Sequence, residues 1–358
     1  MIIFPVKKIF IRLLILCFWT AIIFLFLFSP KISQYFVTGK SLSVFTFSKF
    51  IDVECIKKFE KETGIKLNVN YYDNNDELLV KIRKTGGAGF DVIIPSDYAV
   101  ELLAKEGLIQ KLDKSKINFL DRIDKRFFGF YFDPKNEYSI PYAWEAYKIG
   151  YNKVMFKATP INSWKMGFDK AYAPNPIVMN NTPREAIMLA ALYLFGSIDN
   201  LDDEKLEKIK DLLIKQKQWV EVYTDRRSDY YLSSATCAVA VGSSGEIWRA
   251  ARQDPNLEFI VPDEGTFMII DSVVLSAKSK FPDDAYKFIN FLYSKKIVDH
   301  HIDKYSIFSV LTDVTMDERS TKAAKYTRDR LDKVKVDFFR NVLTEDQMNK
   351  VWVELKVK

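Results

Sequence analysis

Residues that commonly carry catalysis or bind metals are scarce in this chain of 358 residues. It has two histidines, His300 and His301, and three cysteines, Cys17, Cys55 and Cys237. Neighbouring side chains on a helix point about 100° apart, so the two histidines do not predict a shared metal site. We therefore expect neither a bound metal nor a cofactor. Cys55 and Cys237 lie far apart in the sequence, and we expect two buried thiols, although an exported compartment would allow them to pair.

Motifs for nucleophilic or phosphate chemistry are also absent. No histidine lies near a candidate serine or cysteine nucleophile, and neither a Walker loop nor a dinucleotide glycine fingerprint occurs. The glycine-rich run 86–89 precedes its predicted strand, where it cannot present a helix N-terminus to phosphate. Glu185 and Asp271 are the one pair of carboxylates that we would nominate for glycoside hydrolysis. The sequence therefore indicates a protein that is not an enzyme.

The chain lacks a large excess of charge of one sign. Of its 53 basic residues, three (Lys7, Lys8 and Arg12) lie in the N-terminal segment, so 50 basic and 47 acidic residues remain in 31–358. A nucleic-acid surface usually shows a concentrated basic stripe. We therefore expect no nucleic-acid partner.

The one long hydrophobic run lies in residues 1–30. The basic positions 7, 8 and 12 precede Leu13–Ser29, which carries no charge. A positive flank before such a run is typical of a secretory signal peptide or a signal anchor. No small-x-small cleavage site follows, and the length is near the lower limit for spanning a bilayer. We expect export to the periplasm or another extracytoplasmic space, either with the segment cleaved or with the segment anchoring the protein in the inner membrane.

The remaining sequence alternates between strand and helix patterns, which indicates an α/β architecture. Its most informative stretch is Gly89–Tyr98. Val92–Ile94 reads as a strand buried on both faces, and Pro95 ends it. Ser96, Asp97 and Tyr98 then follow at the carboxyl edge, where ligands of open α/β sheets bind. We also expect Asp97 to cap a helix over 98–105.

Polar groups follow other predicted strands as well. Phe47 and Ser48 come at the end of the first strand, Glu185 follows the strand 176–179, and Asp271 follows the apolar stretch 267–270. Burying an ionised carboxylate is costly without a partner. Asp271 therefore predicts either an internal ion pair or helix cap, or a site for a cationic ligand. Together with Glu185, it favours a cleft between two lobes.

Six segments in order resemble the spermidine/putrescine-binding proteins of ABC importers, over about 42–290: Lys57–Lys66, Phe90–Tyr98, Lys105–Ile109, Ser139–Tyr142, Pro183–Glu185 and Ile289–Leu292. The resemblance implies an α/β, periplasmic-binding-protein-like (type II) fold of two lobes with a hinge and an interlobe ligand cleft. One lobe would comprise 42–146 and 272–310, and the other 147–271 and 311–358.

The same resemblance implies a ligand site. In that family carboxylates clamp the ammonium groups and aromatic rings sandwich the methylene chain. Carried over by position, the ligand-binding residues here are Phe47, Ser48, Phe50, Ser96, Tyr98, Glu185 and Asp271.

Several positions depart from the family pattern. Thr182 stands where a second carboxylate is usual, Ile269 replaces a tryptophan, and a further tryptophan is missing near Ser243. The tyrosine expected near Ile307 is absent, although Tyr305 could substitute. Glu145, beside Trp144, is one candidate for compensation. A site with fewer carboxylates and indoles should hold a polyamine less tightly, or the ligand differs.

These observations predict a monomeric substrate-binding protein that captures a polyamine and delivers it to the membrane subunits of an ABC permease. Two alternatives stay open at this point. The chain could bind another small solute, such as a different amine or an amino acid, on the same fold. It could also be a surface sensor that does not take part in transport.

Overall fold

The computed structural model describes residues 12–20, 22–24, 41–48, 50–156, 159–172, 176–224 and 227–357. Residues 12–20 and 22–24 are helical and exposed, and the other residues of the predicted N-terminal segment 1–30 lie outside the described residues. No helix in the described ranges is both long and apolar enough to cross a membrane.

Twelve strands form one continuous hydrogen-bonded sheet in the described chain. They are β1 (Ser41–Phe47), β2 (Lys66–Tyr72), β3 (Val92–Ile93), β4 (Ile109–Gln110), β5 (Ser139–Asn152), β6 (Ile177–Asn180), β7 (Val220–Thr224), β8 (Val239–Ser243), β9 (Leu257–Ile260), β10 (Thr266–Ser276), β11 (Phe308–Ser309) and β12 (Val336–Phe338). The main path runs β2-β1-β3-β10-β5-β8-β6-β7, with β4 and β12 on β10 and with β9 and β11 on β5.

The two ends of this path are parallel and its middle is antiparallel. β1 pairs parallel with β2 and β3, and β6 pairs parallel with β7 and β8. β10 and β5 run antiparallel to each other and to β3 and β8 respectively. Parallel pairs need crossover connections, so helices cover both ends of the sheet, and the sequence prediction of an α/β architecture is confirmed.

The helices that cover the sheet are α1 (Val53–Thr63), α2 (Asn75–Thr85), α3 (Asp97–Lys105), α4 (Lys165–Phe168), α5 (Pro183–Phe195), α6 (Asp203–Gln216), α7 (Ser228–Ser233), α8 (Ser244–Gln253), α9 (Pro282–Leu292), α10 (Lys295–Tyr305), α11 (Glu318–Leu331) and α12 (Glu345–Val357). Local signals set several boundaries. Asp52 and Asn74 accept hydrogen bonds from backbone N–H groups of α1 and α2, and Pro183 occupies the first turn of α5.

The long strands β5 and β10 connect the two ends of the sheet. Residues 139–146 of β5 pair with β10, and residues 147–152 pair with β8 and β9. β10 in turn reaches β3 with its last residues and β12 with its first. Side chains from the middle of either strand therefore face the region between the two groups of parallel strands.

The structure corrects some predicted details. Asp97 does not precede its helix: α3 begins at Asp97, and Ser96 holds the cap position without a side-chain cap bond. The carboxylate at Asp271 does not end a strand, because β10 continues to Ser276 with a change of register between Asp271 and Ser272. The prediction of two buried, separate thiols is confirmed for Cys55 and Cys237.

Candidate functional site

A cavity of about 1030 Å³, including the open solvent at its mouth, lies where the strand ends meet β5 and β10. All seven residues predicted to bind ligand line it: Phe47, Ser48, Phe50, Ser96, Tyr98, Glu185 and Asp271. They come from β1, β3–α3, α5 and β10, so distant parts of the sequence converge on one space.

Asp271 enters the cavity through an irregularity in β10. The register against β5 shifts between Asp271 and Ser272, the signature of a bulge, which re-aims side chains at functional sites. Ser96 Oγ donates a hydrogen bond of 2.7 Å to Asp271 Oδ1, and the two residues also form a backbone bridge. This contact holds the carboxylate at the cavity wall.

Asp97 lies beside Asp271 and is almost fully buried, with 1% of its surface exposed. Its carboxylate accepts hydrogen bonds from the backbone N–H groups of Tyr98 (2.6 Å) and Ile270 (3.1 Å). Burial raises the pKa of Asp97 to about 7; these hydrogen bonds oppose the rise, and the charge of Asp271 adds to it. This carboxyl therefore keeps its proton to a higher pH than an exposed aspartate does.

Tyr98 connects the first turn of α3 to the opposite side of the cavity. Its hydroxyl donates to Asp76 Oδ1 at 3.3 Å, and the guanidinium of Arg184 lies 4.2 Å from the centre of its ring. Burial raises the pKa of Tyr98 well above its usual value, so the phenol stays neutral. Arg184 itself is buried and donates to the backbone oxygen of Arg340 at 3.0 Å.

Aromatic rings make the wall next to β1. The ring of Phe47 packs 4.6 Å from that of Tyr72, and the ring of Phe50 packs 5.0 Å from that of Tyr142. Ser48 N donates to the backbone oxygen of Tyr72, which continues the β1–β2 ladder by one residue. Both rings are therefore packed against neighbouring aromatic side chains of the core.

Glu185 lies in the first turn of α5, where the positive end of the helix dipole favours a carboxylate. Its Oε2 accepts a hydrogen bond of 3.0 Å from the side-chain amide of Asn180, which also donates to the hydroxyl of Tyr147 at 2.8 Å. The pKa of Tyr147 is raised well above its usual value, first by burial and then by the charge of Glu185.

The positions that depart from the resemblance also line the cavity, namely Thr182, Ser243, Ile269, Tyr305 and Ile307. Glu145, the candidate for compensation, lines it too. A Cβ built on Gly245 would overlap Glu145 Oε1. The carboxylate of Glu145 therefore occupies space that a larger side chain at the start of α8 would need.

Sequence reasoning missed five charged or aromatic members of the lining: Asp73, Tyr147, Glu246, Arg249 and Phe339. Asp73 directly follows β2, so the pattern of polar groups after strands could have pointed to it, whereas the other four do not follow a predicted strand. Glu246 and Arg249 lie on α8, which begins in a stretch of glycine and serine that does not by itself indicate a helix. Position within β5 alone could have pointed to Tyr147, two residues beyond Glu145.

The cavity lining is strongly acidic. Six carboxylate residues (Asp73, Asp97, Glu145, Glu185, Glu246 and Asp271) and one cationic residue, Arg249, line it in the described chain. Arg249 Nε donates to Asp229 at 2.5 Å, so its charge is already matched by an acid of the protein. Such a space with aromatic walls can hold a flexible cation through charged hydrogen bonds and cation–π contacts.

Comparison with known proteins agrees with this geometry. Residues 54–328 match the family described as bacterial extracellular solute-binding protein. A spermidine/putrescine-binding periplasmic protein of Salmonella typhimurium is 30% identical over 253 residues, covering 70% of this chain and 72% of the relative. A putrescine-binding periplasmic protein of Escherichia coli is 29% identical over 283 residues, covering 74% and 76%.

A solved structure gives the same answer for the fold. A spermidine/putrescine ABC transporter substrate-binding protein of Streptococcus pneumoniae superposes with a TM-score of 0.73 and 26% identity, covering 89% of this chain and 99% of that one. The expected periplasmic-binding-protein fold is therefore confirmed.

Proposed function

The chain belongs to the family of bacterial extracellular solute-binding proteins, and we propose that it captures a polyamine and delivers it to an ABC transporter. The single observation that carries the proposal is the excess of carboxylates in a cavity walled by aromatic rings. Each amino group of a polyamine is positively charged at neutral pH. A flexible polycation therefore complements both the charge and the apolar surfaces of this space.

The proposed contacts divide between the two sides of the cavity. Asp271, held by Ser96, and the rings of Phe47 and Tyr98 would face one part of the ligand. Glu185, on α5, would face an ammonium group from the other side. Such an arrangement supports a clamp in which both halves of the protein share one ligand and close around it.

The lobes proposed from the sequence, 42–146 with 272–310 and 147–271 with 311–358, fit this clamp. β5 passes from pairing with β10 to pairing with β8 near residues 146 and 147, which is where the proposed boundary falls. Two strands that cross between halves provide a natural hinge, because a few backbone dihedrals there can absorb a rotation.

Glu145 and Glu246 supply a reason why the missing family carboxylate at position 182 need not abolish binding. Both line the cavity on the side of α8. We propose that they replace the charge lost at Thr182, so the position of the negative charge within the cleft has shifted. The ligand would then take a different pose from that in the relatives.

A second candidate function is binding of an amino acid or another amine. For this candidate, Arg249 would exchange part of its contact with Asp229 for a ligand carboxylate, and Ile269 and Ser243 leave the space less aromatic than the resemblance requires. A protein with this second function need not take part in transport. A surface sensor for such a solute would bind it in the same cavity.

Calorimetry on the full chain with spermidine, putrescine, cadaverine and γ-aminobutyrate tests the proposal. We expect saturable binding of at least one polyamine, with Asp271→Asn and Glu185→Gln each lowering affinity about 10- to 100-fold, as loss of a charged hydrogen bond of about 1.5–3 kcal/mol requires. Glu204→Gln, an exposed carboxylate on α6, is the matched control and should change nothing. Binding of γ-aminobutyrate alone, or unchanged polyamine affinity in both cavity variants, would contradict the proposal.

We also propose an extracytoplasmic location, with the permease as the partner and the N-terminal segment as signal or anchor. N-terminal sequencing of the protein recovered from fractionated cells tests this step. A mature chain that starts after position 30 indicates a cleaved signal. The full chain in the membrane fraction indicates an anchor.

A further inference from the structure

The two histidines and one of the three cysteines of this chain meet beside Asp52, outside the lining of the ligand cavity. Asp52 and Cys55 belong to the start of α1, while His300 and His301 lie on α10. We call these four residues the Asp52 cluster. The sequence predicted no metal site, because His300 and His301 are neighbours on one helix and their side chains point about 100° apart. That prediction did not include residues from another helix.

Three of the four residues, Asp52, Cys55 and His300, have ligand atoms close enough to share one ion, and His301 joins them through its contact with Cys55. One atom each from Asp52, Cys55 and His300 lies within 4.8 Å of the others. His300 Nε2 is 2.8 Å from Asp52 Oδ2, and His301 Nε2 is 3.3 Å from Cys55 Sγ. In a tetrahedral zinc site with bonds of about 2.0–2.3 Å, neighbouring ligand atoms are about 3.3–3.8 Å apart.

The two histidines of the cluster differ in exposure. Cys55 and His301 are buried, with 3% and 1% of their surface exposed. The side chain of His300 is 29% exposed, which leaves room for its ring to rotate. A small rotation would bring its ligand atom nearer to those of Asp52 and Cys55, all of which lie within 4.8 Å of one another. The buried pair thus provides a fixed half-site, and the more exposed pair can adjust to an ion.

The surroundings orient the ligand atoms as a metal site requires. His301 Nδ1 lies 2.6 Å from the hydroxyl of Tyr142, and when Nδ1 carries the proton Nε2 is left to bind an ion. Cys55 N donates to Asp52 Oδ1 at 2.7 Å. This bond occupies one carboxylate oxygen and leaves Oδ2 turned towards His300.

One cation of the protein competes for this position. Lys304 Nζ donates to Asp52 Oδ2 at 2.6 Å. The Lys304 side chain is 46% exposed, so it can turn into solvent when an ion takes its place. Competition from Lys304 should lower the affinity of the site for a metal ion. Removing the lysine should therefore raise that affinity.

We propose that Asp52, Cys55, His300 and His301 bind a single divalent transition-metal ion of the zinc type. A thiolate and two imidazoles select such ions over calcium and magnesium, which prefer oxygen ligands. Binding displaces the thiol proton to solvent, so the affinity increases with pH. The site does not depend on the proposed polyamine function, and each can fail without the other.

Titration of the reduced full chain with Co²⁺ tests the proposal. We expect a near-ultraviolet thiolate-to-cobalt band that saturates at one ion per chain and disappears when Zn²⁺ is added. Cys55→Ser should abolish the band, and His300→Ala should weaken Co²⁺ binding by about 10- to 100-fold or more. Lys304→Ala should strengthen it, because the competing cation is gone.

The controls separate metal binding from folding. Cys17→Ser and Cys237→Ser keep the cluster intact and should bind Co²⁺ like the parent. His300 is partly exposed, so its variant tests the site even if Cys55→Ser does not fold, which circular dichroism of both variants will show. A band that survives Cys55→Ser, the absence of a saturable band in the parent, or unchanged affinity in a folded His300→Ala would overturn the proposal.

Discussion

The Asp52 cluster and the ligand cavity lie on either side of one aromatic wall, and their aspartates have different partners. The ring of Phe50 lines the ligand cavity and packs against Tyr142, whose hydroxyl contacts His301 in the Asp52 cluster. On the cluster side, Asp52 receives hydrogen bonds from Lys304 and His300. On the cavity side, Asp97 receives them from backbone amides and has the carboxylate of Asp271 nearby.

The pKa values of the two aspartates record this difference. Burial opposes ionisation of Asp52, but hydrogen bonds from Lys304, the Cys55 amide and His300 outweigh it and hold its pKa well below the usual range. Burial raises the pKa of Asp97 to about 7, and the backbone amides do not compensate for it. The protein thus neutralises Asp52 with its own cations, whereas at Asp97 burial outweighs both the backbone hydrogen bonds and the nearby charge of Arg184.

The largest expected effect concerns Asp97 and pH. Because its folded-state pKa lies above the unfolded value, its contribution to stability is present at low pH and is lost as pH rises from about 4 to about 7. The loss should reach about 3–4 kcal/mol in the free energy of unfolding. Urea unfolding of the parent and Asp97→Asn at pH 4.5, 6 and 8 measures it.

Asp97→Asn should gain stability relative to the parent as pH rises, since the amide has no charge to bury. If the free energies of unfolding of the parent and of Asp97→Asn differ by the same amount at every pH, the raised pKa of Asp97 is contradicted. Such a result would also remove the contrast between the two aspartates.

A smaller effect is expected at Glu145, a carboxylate of the cavity lining that lies next to the start of α8. Glu145→Gln should lower polyamine affinity by about 10-fold or more, because one charged hydrogen bond is lost. The free energy of unfolding should change little. Calorimetry with the polyamine that binds the unmodified chain measures the affinity, and Glu204→Gln again serves as the control.

Unchanged affinity in Glu145→Gln would restrict the ligand contacts to Glu185 and Asp271. It would also remove the explanation offered for the absence of a carboxylate at position 182.

The smallest effect is expected at Asp52 itself. Asp52→Asn keeps an N-cap oxygen for α1 but loses the charge and the hydrogen bonds that Oδ2 accepts from Lys304 and His300, so it should destabilise the protein at pH 7 by about 1 kcal/mol. The lowered pKa means that this contribution exists above the unfolded-state pKa and is lost as pH falls through the folded value. Its pH dependence therefore has the sign opposite to that of Asp97, and a parallel urea series checks it.

Much of the fold could be predicted from sequence because local rules decide it. Asn74 before a helix, Pro183 at a first turn and Gly64 after a last turn each mark a boundary that the structure has within one or two residues. The helices Ser244–Gln253 and Lys295–Tyr305 were missed. The start of the first lies in a glycine- and serine-rich stretch, and the second carries the two histidines that drew attention to chemistry rather than to periodicity.

The candidate site was predictable only where polar groups follow strands. Ser96, Tyr98 and Glu185 stand at such positions, and they line the cavity with the residues carried over by resemblance. Glu246 lies in the first turn of a helix and Phe339 comes from the C-terminal region, and sequence reasoning did not distinguish either from an ordinary helix or core residue.

The sequence by itself determined the alternation of strands and helices, most caps and the acidic and aromatic residue types available to a site. These depend on interactions between near neighbours, which periodicity and capping rules describe. Only the tertiary structure decided that Asp271 lies in mid-strand at a bulge, that Glu145 occupies the space beside Gly245, and that Cys55 meets two histidines from α10. Each of these contacts joins residues about 100 or more positions apart, and the pairing of β5 with β10 and with β8, together with the packing of α1 against α10, brings them together.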